Sequence, residues 1–252
     1  MKNKYKVGLI FISAIVLLFV VYVLYFFNYI PHQKYSNSDF NITTYKSSHE
    51  EDDDCIDDQT DILNNVKAYV SSKPKYKSKY YGTGYPNDHF WVCSDVVAFG
   101  LKDAGYDLME LVNQHVQNHK EDYDIDIIDK NIDFRRVQNL NIYFKYNAQS
   151  LTTDIHRIEE WQGGDIVIFE NHIGIVSDHR NKNGVSFVIH HASPYQIYYE
   201  EDILEYRNDI VGHYRINWFK LRSNSNGYNF SYLCSFSVFD WTYMDYQECE
   251  NW

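Results

Sequence analysis

Glycine and proline are scarce in this chain, 11 and 4 among 252 residues, while tyrosine is abundant at 24. So few turn and linker residues, beside so much aromatic surface to bury, argue against disorder over most of the length. Positive charge is also short, with 23 lysines and arginines against 35 aspartates and glutamates and a formal net charge of −12. Holding a phosphate backbone needs a basic face, so no nucleic-acid partner is expected. The acidity names no partner of its own, because net charge often serves only to keep a domain soluble. Cysteine is rare as well: Cys55, Cys93, Cys234 and Cys249 are all there is. In an oxidising compartment they would ordinarily pair. If Cys93 is a working thiol, three remain and at most one bridge can form among them. Cys234 with Cys249 is the local choice, and Cys55 with either is the alternative.

Charge is missing altogether from residues 7–27, where Ser13 carries the strongly polar side chain. A helix needs about 20 apolar residues to cross the hydrocarbon core, and this run supplies them. Lys2, Lys4 and Lys6 precede it, which by the positive-inside rule puts the N-terminus in the cytoplasm and the rest across the membrane. Small residues are lacking where a signal peptide would be cut; Asn28, Tyr29, Ile30 and Pro31 follow instead. The apolar run also exceeds the roughly 7–15 residues of a cleaved signal. No cysteine follows closely enough for a lipoprotein. The reading is a single-pass signal anchor over 1–30 in the cell membrane, with an extracytoplasmic body.

Residues 31–60 lack apolar periodicity and end in an acidic run over 50–58, which reads as a solvated stalk. Calcium binding through Asp52, Asp54 and Asp58 is the sharper alternative. However, an EF-hand loop needs a glycine at its sixth position and a glutamate at its twelfth, and neither falls in place. A single body is expected over 61–217, followed by an aromatic extension over 218–252. Ile62, Val66 and Val70 predict a helix ended near Pro74, and the spacing from Cys93 predicts another, stopped near Gly105. A further helix is expected over 108–118. Strands are expected over 165–170, 173–177, 185–190 and 210–216, with Asn183-Gly184 as a hairpin turn. Helices followed by antiparallel strands define an α+β domain.

Cys93 stands at the predicted start of a helix, behind Phe90 and Trp91. Exposed N–H groups and the helix dipole there would lower the thiol pKa, and the same N–H groups could form part of an oxyanion hole. A buried structural cysteine is the plain alternative. His172 begins a predicted strand, where an imidazole can face a helix N-terminus and take a thiol proton. A third polar group would orient that ring; His190 is the natural candidate and His191 its competitor, with only one facing the site because strand neighbours alternate. Together with Asp165, these histidines are also suitable zinc ligands, but no HExxH spacing supports a metal and no cofactor is expected. Arg135 is a candidate carboxylate clamp, whereas Arg136 fits better as an ion-pair partner of Asp133. Trp91 and Trp161 could line a groove, although most such rings pack in cores.

At these residues the chain resembles known families. Gly164-Asp165-Ile166-Val167-Ile168-Phe169 followed by His172-Ile173-Gly174-Ile175-Val176 resembles the histidine region of NlpC-type papain-like cysteine peptidases. A fuller resemblance, over roughly residues 60–217, is to a bacterial family of unknown function numbered 1287 among such domains. It rests on Val92-Cys93-Ser94-Asp95-Val96-Val97, on Asn131-Ile132-Asp133-Phe134-Arg135-Arg136-Val137-Gln138-Asn139-Leu140 and on Trp161-Gln162-Gly163-Gly164-Asp165-Ile166-Val167. His172-Ile173-Gly174-Ile175-Val176-Ser177-Asp178, Val188-Ile189-His190 and Gly212-His213-Tyr214-Arg215 complete it in order.

The resemblance implies a papain-like fold, a cysteine helix packed on an antiparallel sheet. Cys93 would be its nucleophile, His172 its general base and His190 its orienting residue. NlpC-type enzymes cut amide bonds of peptidoglycan stem peptides, so peptidoglycan or another envelope amide is the expected substrate, with Trp91, Asp95 and Arg135 as candidate substrate-binding residues. NlpC-type enzymes usually carry glycine where Asp95 stands and aspartate where Val92 stands, which leaves the substrate open. A catalytically inactive envelope-binding module of the same fold and a thiol acyltransferase are the alternatives.

Overall fold

The computed structural model describes residues 2–216, and the expected extension over 218–252 lies outside them. The first element, α1 (Lys2–Phe26), contains 21 residues, Lys6–Phe26, of mean hydropathy 3.0 and is long and apolar enough to cross a membrane. In the body, α2 (Asp58–Ser71) begins where Asp57 accepts the Thr60 N–H at 3.2 Å. Two short parallel strands follow, β1 (Lys75–Tyr76) and β2 (Phe90–Trp91). Next come α3 (Cys93–Asp103), α4 (Leu108–Asn118), α5 (Lys130–Asp133) and α6 (Val137–Asn147). The remaining strands are β3 (Gln149–Ser150), β4 (Ile166–Phe169), β5 (His172–Arg180), β6 (Ser186–Ile189), β7 (Glu200–Glu201) and β8 (Ile210–Arg215).

These last six strands form one antiparallel sheet in the order β3-β8-β4-β5-β6-β7. The body is therefore α+β, with helices first and an antiparallel sheet after them. All four residues of β4 are buried, as a strand covered on both faces must be. One face carries the main core, where Val96, Val97, Leu101, Leu140 and Phe144 meet Ile166, Ile168, Ile173 and Ile175. The other carries Trp161, Val167, Phe169, Val176, Val188 and Leu204. Helix α3 lies between α2 and β5, and Gly100 allows that approach: a Cβ there would come within 2.2 Å of Val66 Cγ2. Gly105 follows α3 at φ +85°, the left-handed geometry of a helix stop.

The segment expected to be a free stalk instead straps the body. Tyr35 pairs with Arg180 as an isolated antiparallel bridge, with N···O distances of 2.9 and 2.8 Å. The fully buried Arg180 guanidinium donates to Asn37 Oδ1 at 2.6 Å and to the carbonyls of Ile158, Gly184 and Trp161. Gln162 holds the Tyr45 N–H and the Thr43 carbonyl. The strap is polar because it bonds through amides and a buried guanidinium, which hydrophobic periodicity does not register. Asp58, read with the acidic run, is buried and accepts from Tyr106 Oη at 2.5 Å and from the Glu51 N–H at 3.0 Å. Cys55 is disulfide-bonded while Cys93 is free, so a pairing that leaves Cys55 out does not hold; Cys234 and Cys249 lie outside the described residues.

Candidate active site

Cys93 is the first residue of α3. Val92 precedes it in extended conformation, and its N–H donates to Asp95 Oδ2 at 2.8 Å. That bond fixes the first turn and aims the Cys93 side chain from the helix N-terminus toward β5. The backbone N–H groups of Ile173, Ser94 and Cys93 itself favour a thiolate, as expected of a helix start. Burial outweighs them and pushes the thiol up to about 11, so the sulfur carries its proton at neutral pH. This overturns the expected lowering. The N–H of Ile173 belongs to the residue directly after His172, so the thiol meets β5 one residue from the imidazole-bearing position. No hydrogen bond joins them among the described residues, which is common in substrate-free sites.

His172 starts β5, half-buried, and its Nε2 lies 2.9 Å from Nδ1 of His190. His190 follows the end of β6, is buried, and sets its Nε2 3.1 Å from Glu201 Oε2 on β7. Three adjacent strands thus carry a line His172–His190–Glu201. Burial is the main cause that holds both histidines neutral, lowering His172 to about 2 and His190 to about 3, with the charge of Arg207 adding to each. Burial also raises Glu201, to about 7.

The line has a definite logic of protons. When Glu201 is ionised it accepts from His190 Nε2–H, leaving His190 Nδ1 bare to accept from His172 Nε2–H. His172 then presents an unprotonated Nδ1, the tautomer that can take a thiol proton. When Glu201 is protonated the line reverses, and His172 Nδ1 carries the proton instead. Glu201 was not singled out in the sequence, where it is one acidic residue among 35 Asp and Glu. Tyr76 was missed too. It stands opposite Trp91 in the β1–β2 pair, where burial first, and then the nearby charge of an ionised Cys93, disfavour ionisation of its phenol.

His191 makes contacts different from those of His190. Its ring meets Tyr76 edge-on at 5.3 Å and Tyr199 at 5.0 Å, beside the site and without a bond to His172. Trp91 is buried against Tyr69 and Phe99, with ring centroids at 4.4 and 5.3 Å. Asp95 and Arg135 are not free to clamp a ligand, because they hold each other: Nε to Oδ1 is 2.6 Å and Nη2 to Oδ2 is 2.8 Å, both side chains buried. Arg135 also donates to the Lys79 carbonyl at 2.9 Å. Asp133 and Arg136 lie 3.8 Å apart, the ion pair expected of them. Asp165, the fourth residue of the zinc alternative, is occupied within the fold. It accepts from Gln59, the Gln162 N–H, His213 and both Nε and Nη2 of Arg215. His213 is held within the fold as well, stacked on Trp161 with centroids 3.8 Å apart.

With this geometry in view, comparison with known proteins gives the chain its family. Residues 63–216 match the domain of unknown function DUF1287, and the chain belongs to that family. It is similar to the uncharacterized protein YijF of Escherichia coli (strain K12), with 34% identity over 167 residues that cover 61% of this chain and 80% of that protein. No solved structure matches it.

Proposed function

We propose that the protein is a membrane-anchored cysteine amidase or peptidase of papain-like, NlpC-type design that acts on peptidoglycan stem peptides outside the cytoplasm. The observation that carries this reading is the His172–His190–Glu201 line ending beside a free thiol at a helix N-terminus. His172 Nδ1 takes the Cys93 proton as sulfur attacks the amide carbonyl, and backbone N–H groups near the helix start hold the oxyanion. The C–N bond breaks as His172 returns that proton to the leaving amine. Water then hydrolyses the thioester with His172 again as base. Because the resting thiol is neutral, transfer of its proton accompanies attack rather than preceding it.

The raised thiol pKa favours a second reading, an envelope-binding module of the same fold without turnover. The full chain in detergent, incubated with purified peptidoglycan beside Cys93→Ala, separates them. New fragments seen by mass spectrometry with the parent alone support the hydrolase. Binding without fragments supports the module.

A further inference from the structure

Tyr206 packs edge-on against Phe26, ring centroids 5.0 Å apart. Phe26 is the last residue of the stretch apolar enough to span a bilayer, so whatever touches it stands at the headgroup boundary. Directly beyond, Phe27 and Tyr29 form one wall of a cleft whose other wall includes Tyr195, Gln196 and Ile197. The junction is braced rather than loose. The N–H of Tyr29 donates to the Leu24 carbonyl at 2.8 Å, and His32 bonds the Tyr25 carbonyl at 2.8 Å through Nε2 while its ring stacks on Tyr25. His32 Nδ1 reaches Asp202 at 3.1 Å, and Lys34 pairs with Glu200. The end of α1 is thereby tied to both neighbours of Glu201.

The edge of the body next to this junction is apolar and uncovered: Tyr195 is 77% exposed, Ile197 56% and Tyr206 51%. In water such a cluster is unfavourable. At a membrane boundary tyrosine is well placed, ring toward the acyl chains and hydroxyl toward the headgroups.

We infer that the edge formed by Tyr195, Ile197, Tyr198 and Tyr206 is seated in the headgroup layer of the same bilayer that α1 spans, docking the body on the membrane. This rests on reading α1 as a membrane span, and it goes beyond that reading by fixing which face meets the lipid.

The test is lipid photocrosslinking of the full chain in phosphatidylcholine–phosphatidylglycerol vesicles. The vesicles carry a phospholipid with a diazirine near its headgroup, and labelled peptides are quantified by mass spectrometry. Ile127, 84% exposed in the loop between α4 and α5, serves as an apolar control. Docking predicts label on α1 and on peptides containing residues 195–198 and 206, at least about fivefold above the Ile127 peptide, as insertion of apolar side chains concentrates lipid contact. Label on α1 with 195–206 no higher than Ile127 overturns the docking and leaves the anchor standing. An unlabelled α1 overturns both.

Discussion

Two hydrogen bonds separate Glu201 from His172, and through them the charge on one carboxyl decides which nitrogen of the His172 imidazole is bare. With Glu201 raised to about 7, the competent tautomer gains population as pH rises through neutrality. The parent is expected to show peptidoglycan cleavage that climbs through an inflection near pH 7. Glu201→Gln removes the ionisation, so kcat/KM should lose that inflection and fall by roughly 10²-fold near pH 8, the usual scale for a disturbed general base. An unchanged inflection in the variant would show that another group sets it. His190→Ala breaks the same line one bond earlier and is expected to cost at least as much.

At the scale of elements, the first turn of α3 depends on Asp95. Its two oxygens serve the Val92 N–H and a bidentate Arg135, all within the core. Asp95→Asn leaves a guanidinium buried without its counter-charge, which typically costs about 3–5 kcal/mol. Urea unfolding should show that loss, and a change under about 1 kcal/mol would mean that water reaches Arg135. The strap makes a gentler prediction. Asn37→Ala removes one acceptor from buried Arg180 and should cost about 1.5–3 kcal/mol, the range for hydrogen bonds to charged groups. A free stalk would show no loss.

These elements also show what was legible beforehand. The start of α3 and the strands β4, β5, β6 and β8 were readable, the helix from its apolar spacing and the strands as short apolar runs bounded by turn residues. Asn183-Gly184 marked the turn between β5 and β6 for the same local reason. By contrast, β1, β2, β3 and β7 have two residues each, too short to express a period. The strap was misread because its hold on the body is polar and non-local. Cys93, His172 and His190 could be named from their places at element ends and from family motifs. The 40-residue separation of Asp95 and Arg135 and the placing of Glu201 on a two-residue strand left no sequence signal for their partners. The thiol pKa was misjudged because the helix start was visible and the packing over the sulfur was not.

For the whole molecule, the arrangement joins an apolar helix, a strap and a helix-on-sheet body through residues 200–202, which touch both the junction and the histidine line. Its stability carries a pH signature outside the site as well. His115 is buried beside Tyr123 and His119, and burial lowers it to about 4. A folded-state pKa below the unfolded value of about 6.5 gives stability that is present above that value and lost as pH falls toward 4. His115→Gln should therefore lose less stability than the parent between pH 6.5 and 4, by roughly 3 kcal/mol. Parallel losses in thermal unfolding would place the sensitivity elsewhere.

If the site turns over as proposed, Cys93 forms a covalent acyl intermediate with an envelope amide. The direct measurement is intact-protein mass spectrometry of the full chain, acid-quenched seconds after mixing with peptidoglycan stem peptide, with peptide mapping of any adduct. The expected result is a thioester adduct on Cys93 in the parent, absent from Cys93→Ala and from His172→Ala. Fragments released as fast by Cys93→Ala as by the parent would contradict the account, as would an adduct mapped to any other residue.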